Sequence, residues 1–175
     1  MKLHLKIFLI LSTCIFAITS NAGPNERMPL WGSTYYDMTM DEVLHNIAGA
    51  KRLENTDSST TDKVSKDLVK LEDVVISDEK FNVLLMFKNN LLKEVQLNWV
   101  PNSLKINTDL YANLSWLLSL KYGQPVKSTH QDFGPPSTLW QAQWVKNMMN
   151  IDLFSDKKYL QIKYTNQYLN DLKNL

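Results

Sequence analysis

The stretch VKLEDVVISDEKFNVLLMFKNNLLKEVQLNW, residues 69–99, decides the fold. Within it, residues 81–87 place Phe81, Val83, Leu85 and Phe87 at every second position. Residues 91–99 do the same with Leu91, Lys93, Val95, Leu97 and Trp99, leaving Glu94, Gln96 and Asn98 on the other side. Successive side chains of a strand point to opposite faces, so a period of two predicts strands with one buried face. Residues 69–76, carrying Leu71, Val74 and Ile76, make a third strand. The connections Ser77-Asp78-Glu79-Lys80 and Lys88-Asn89-Asn90 are of hairpin length, so the three strands read as an antiparallel meander.

Upstream, Thr39-Met40-Asp41-Glu42 has the form of a capping box, with Thr39 as N-cap and Glu42 reaching back from the third helical position. Met38 and Val43 occupy the two hydrophobic-staple positions around it. The spacing predicts a helix over 40–47 that stops at Gly49 and turns Val43, Leu44 and Ile47 inward. Residues 54–67 are polar with no apolar period and read as a loop or hairpin tip.

Downstream, Pro101 breaks the chain and the order starts again. Residues 109–121 carry Leu110, Leu114, Leu117 and Leu118 at helical spacing, joined by Tyr111, and end at Gly123 with Pro125 beyond. Residues 140–144, 149–154 and 159–164 follow as strands, and 130–137 (HQDFGPPS) reads as the loop equivalent to 54–67. The expected fold class is α+β: two helix-plus-three-strand-meander units, 31–99 and 101–165, forming one antiparallel sheet packed on the helices. A tail, 166–175, completes it. The alternative is one α+β domain, 23–175, without internal symmetry.

The motif Met38-Thr39-Met40-Asp41-Glu42-Val43 before a meander resembles the SmpA/OmlA outer-membrane assembly lipoproteins. Two tandem copies of helix-then-strands, with Leu117–Gln124 (LLSLKYGQ) leading into the second, resemble the secreted β-lactamase inhibitor proteins, which share that unit. The resemblance implies a small envelope-protein fold and a role in binding. It carries over no functional residue, since no inhibitory loop and no lipid-anchoring cysteine has an equivalent.

Residues 1–22 read as an export signal: Lys2 and Lys6 in front, an uncharged apolar run at 7–18, and small residues Ser20 and Ala22 at the cleavage positions. A retained anchor is the alternative, but a spanning helix needs ~20 apolar residues. Leu11-Ser12-Thr13-Cys14 offers a lipobox, weakened by Thr13 and by the apolar residues that follow. The mature chain is then about one domain in size, placed in the periplasm or secreted, with no membrane span after cleavage.

Losing Lys2 and Lys6 moves the net charge from +1 to about −1. That balance argues against nucleic acid, which is held by basic patches, and against anionic membrane surfaces. Cys14, the single cysteine, leaves with the signal, so the mature domain depends on its core. Composition is 44% hydrophobic with five Trp, which makes such a core feasible. Asn113-Leu114-Ser115 matches a glycosylation sequon by chance inside the second helix.

No catalytic residue, cofactor or metal site is assigned. The mature chain has no thiol, no Gly-x-Ser-x-Gly elbow, no phosphate-cradling glycine cluster and only two histidines, His45 and His130. His130 and Asp132 form a His-x-Asp pair, short of the three or four ligands a zinc site needs. What remains is contact. Leu84 and Met86 alternate away from Phe81, Val83 and Leu85, and Phe154 away from Ile151 and Leu153, so these side chains are expected on the sheet face opposite the helices. The candidate protein-binding surface is Leu84, Met86 and Phe154, with His130 and Asp132 on a polar loop. The tail, with Tyr168, Leu169 and Leu172 at helical spacing, is the competing cover for that face. The expected partner is another envelope or secreted protein, in an accessory, assembly, inhibitor or immunity role. The alternatives are a carrier of a small apolar ligand and an unrecognised hydrolase.

Overall fold

The computed structural model describes residues 27–53, 67–101, 108–132, 138–156 and 159–167. The expectations for 1–22, 54–66 and 168–175 lie outside the described residues. In chain order the elements are α1 (Met40–Asn46), β1 (Lys51–Leu53), β2 (Asp67–Ile76), β3 (Glu79–Lys88), β4 (Leu91–Trp99), α2 (Thr108–Tyr122), β5 (Lys127–Asp132), β6 (Thr138–Lys146), β7 (Met149–Ser155) and β8 (Leu160–Asn166). The strands form one antiparallel sheet in the order β1-β2-β3-β4-β8-β7-β6-β5.

This corrects the expected fold class. The molecule is predominantly an eight-stranded antiparallel sheet with two short helices, and two helix-plus-three-strand units do not describe it. The strands that the periodicity missed, β1 and β5, are the two edges of the sheet. An edge strand contributes little to the core, so its sequence need not alternate. Lys51-Arg52-Leu53 and Lys127-Ser128-Thr129-His130-Gln131-Asp132 are accordingly polar. The loop expected over 130–137 gives way to strand at its start, where His130 pairs with Trp140 and Asp132 with Thr138.

Three hairpins close through two-residue turns with both central residues at positive φ: Ser77-Asp78, Asn89-Asn90 and Asn147-Met148. Such type I′ turns match the twist of antiparallel strands. Asp73, at φ 55°, sits in the irregularity between Leu71 and Val74 where β2 slips against β3. A second slip lies between Met86 and Phe87. It pairs Phe87 with Leu92 and buries Leu92 completely, where the alternation had pointed Leu91 and Lys93 inward. Lys93 instead lies over the Tyr36 ring, 4.5 Å from its centre, and pairs with Asp37.

One face of the sheet makes the core. Val69, Leu85, Val95, Tyr164, Ile151 and Trp144 form a continuous row across six strands, each buried. Val43 of α1 and Leu110, Leu114 and Leu118 of α2 belong to the same cluster, so both helices pack on this face. Burying each such aliphatic side chain contributes ~1.5–3 kcal/mol before entropy is counted. Capping starts α1 as expected: Glu42 N–H donates to Thr39 Oγ1 at 3.2 Å, and Thr39 N–H donates to Glu42 Oε2 at 2.7 Å. Two backbone bonds, Asp37 N–H to the Leu92 carbonyl and Leu92 N–H to the Met38 carbonyl, fasten the approach to α1 onto β4. Gly123, at φ 93°, ends α2 with its N–H on the Ser119 carbonyl.

Candidate functional site

The pairing registers lay out the face opposite the helices. One row reads Lys70, Leu84, Gln96, Lys163, Asp152, Gln143; the next reads Asn82, Asn98, Gln161, Phe154, Gln141. Amide side chains knit the centre together. Gln161 Nε2 donates to Asn98 Oδ1 at 2.8 Å and to Gln96 Oε1 at 3.2 Å. The Tyr159 hydroxyl donates to the same Asn98 oxygen at 2.8 Å, and its ring lies 6.1 Å from that of Phe154. Gln143 Nε2 donates to Asn150 Oδ1 at 2.9 Å, and Asn150 Nδ2 donates to Asp152 Oδ2 at 3.1 Å. Such a chain holds its members in one arrangement and presents hydrogen-bonding groups at fixed positions.

The charges on this face are few and close. Lys163 Nζ stands 3.7 Å from Asp152 Oδ2. Burial nevertheless raises the Asp152 carboxyl above its ordinary range, opposed by Lys163 and reinforced by the Glu94 charge. Burial also raises the Tyr159 hydroxyl, with Asp156 adding to it.

Leu84, Met86 and Phe154 share this face, all half-buried. Phe154 stands apart from the other two: Leu84 and Phe154 are three strands apart, roughly 14 Å at ~4.8 Å per strand, with amide side chains between them. His130 is elsewhere. It lies on the helix side of edge strand β5, exposed, with its ring stacked on Trp140 at 5.6 Å and 15°. Asp132 ends the same strand, opposite Thr138. The five residues therefore occupy two sites. His45 is exposed on α1. Among the described residues, no three His, Cys, Asp or Glu side chains gather as metal ligands.

The second site was missed from the sequence. Leu110, Leu114 and Leu118 of α2 are buried, but Leu117, expected inward, is exposed, and Trp116 and Leu120 are 62% and 66% exposed. The helix is apolar on both sides, and that excess of Leu and Trp in residues 109–121 was the available signal. Along α2 runs a groove of about 550 Å³, walled by Tyr111, Trp116 and Trp140 with Ser115, Ser119 and Gln124. Trp140 has the His130 ring stacked on it and the Tyr111 ring 6.0 Å away, tilted by 32°. A second groove, of about 830 Å³, lies between the N-terminal segment and α1, where Arg27 bridges to Glu42 at 2.7 Å.

No family model matches the chain, and no curated protein or solved structure matches it. Among the described residues, no helix is long and apolar enough to cross a membrane.

Proposed function

We propose that this chain is an exported envelope protein that acts by binding another protein across the open face of its sheet. One observation carries the reading. Both helices pack on the opposite face, which among the described residues leaves a sheet surface with Leu84 and Met86 on one flank, Phe154 and Tyr159 on the other, and amide side chains between them. Apolar flanks around ordered hydrogen-bonding groups suit protein contact, in which aromatic anchors supply energy and fixed polar groups supply register. The leader at 1–22 supplies the compartment, and the near-neutral mature charge suits a protein partner better than a polyanion.

The test compares capture from an envelope fraction by tagged native protein and by Leu84→Asp/Phe154→Asp, with Leu120→Ala, exposed on α2, as a control on the other face. The reading expects a native partner lost with the double variant and kept with the control. Identical capture by all three, with all three folded by circular dichroism, overturns it. Mass analysis of the protein recovered from the periplasm checks the leader, with a first residue of Gly23 expected.

A further inference from the structure

We infer that the groove beside α2 is a binding site for a neutral saccharide, distinct from the open sheet face and on the other side of the sheet. The lining defines the ligand by what it offers and what it withholds. Tyr111, Trp116 and Trp140 supply aromatic surface; Ser115, Ser119 and Gln124 supply neutral hydrogen-bonding groups; among the described residues, no charged side chain lines the groove. An anionic or cationic ligand would find no counter-charge there.

The polar groups are unspent. Among the described residues, neither the indole N–H of Trp116 or Trp140 nor the side-chain amide of Gln124 has a hydrogen-bond partner. The Ser119 hydroxyl donates along the helix to the Ser115 carbonyl at 2.8 Å, which leaves its oxygen as an acceptor facing outward interactions. A purely apolar ligand would take these donors and acceptors out of water without replacing their bonds.

A sugar ring satisfies both halves of this lining. Its C–H-bearing face packs on an indole plane, and its hydroxyls are at once donors and acceptors, matching indole N–H, amide and serine oxygen. Trp116 is the free platform: it is 62% exposed and has no aromatic neighbour among the described residues. Trp140 is the fixed one, with the His130 and Tyr111 rings as neighbours. The supporting helix is held rigidly by Leu110, Leu114 and Leu118 in the core and by Trp144 on its C-terminal carbonyl at Gly123. A pre-formed site loses less on binding than one that must be ordered. Its volume, about 550 Å³, lies within the range of ligand pockets.

The experiment is titration of the mature protein with chitotriose, cellotetraose and maltotriose, followed by intrinsic tryptophan fluorescence and by calorimetry. Saturable binding of at least one, weakened tenfold or more by Trp116→Ala and several-fold by Gln124→Ala, supports the assignment. Trp116→Phe keeps a ring face without the N–H and is expected to bind with intermediate strength. Absence of saturable binding of all three at millimolar concentration by folded protein overturns it. So does binding unaffected by Trp116→Ala, or tight binding of a fatty acid or an apolar peptide that Trp116→Ala abolishes.

Discussion

The indole N–H of Trp144 donates to the carbonyl of Gly123 at 3.0 Å, tying the residue that follows α2 to the C-terminal part of β6. Trp144 is wholly buried, and Gly123 sits at φ 93° with nothing near the position of an added Cβ. Trp144→Phe keeps most of the packing and loses one hydrogen bond to an exposed residue, at a cost of ~0.5–1.5 kcal/mol. Trp144→Ala adds a cavity and costs ~3–5 kcal/mol. Gly123→Ala meets no steric neighbour, so its cost of ~1 kcal/mol is that of a left-handed backbone alone. The urea midpoint is expected to fall most for Trp144→Ala and by less for the other two, with an unchanged denaturant slope.

Thr39→Ala removes the acceptor that Glu42 N–H uses and costs ~1 kcal/mol. The backbone N–H of Thr39, and then Arg27, holds the Glu42 carboxyl below its ordinary range. A lowered folded value means that this stabilisation is present above the ordinary glutamate range and is lost as pH falls through and below it. Glu42→Gln is expected to flatten the acid limb of the stability curve in that window. An unchanged acid limb would show that the box contributes no linkage.

Asp152 has the opposite sign. Because burial raises its folded value, the native state keeps this proton to higher pH than the unfolded chain does. Stability on its account falls as pH rises from the ordinary aspartate range through the raised value. Asp152→Asn keeps an oxygen to accept from Asn150 and loses the charge near Lys163. Urea denaturation at stepped pH is expected to lose that falling segment in the variant, and a segment that persists assigns it to another group.

Met148 occupies the second position of the β6–β7 turn at φ 66°, exposed, where a left-handed backbone favours glycine or asparagine. Met148→Gly is expected to stabilise by ~1 kcal/mol. The neighbouring Asn147→Gly, at φ 49°, is expected to change little because asparagine tolerates this conformation. A lower melting temperature for Met148→Gly would show that the methionine side chain packs more than its exposure implies.

The central strands were legible because each buries one face: Phe81, Val83, Leu85 and Phe87 alternate in sequence and are all buried. Alternation failed at Leu91–Lys93, where the slip beside Phe87 moves the buried position to Leu92. A bulge is set by the partner strand, which a single strand's sequence does not contain. The positions of Leu84, Met86 and Phe154 on the face opposite the helices follow from the same alternation, whereas His130 fell in a strand whose polar sequence carries no period.

Local chemistry alone determined the start of α1 at Thr39, the turn at Asn89-Asn90 and the buried faces of β3 and of the end of β4. Those depend on hydrogen bonds and side-chain direction within a few residues. Tertiary structure decided the pairing of β4 with β8, the edges β1 and β5, and the turning outward of Trp116 and Leu120. A helix with apolar residues all round has no preferred side until a sheet covers one of them, and strands far apart in the chain pair only when the whole buried face closes.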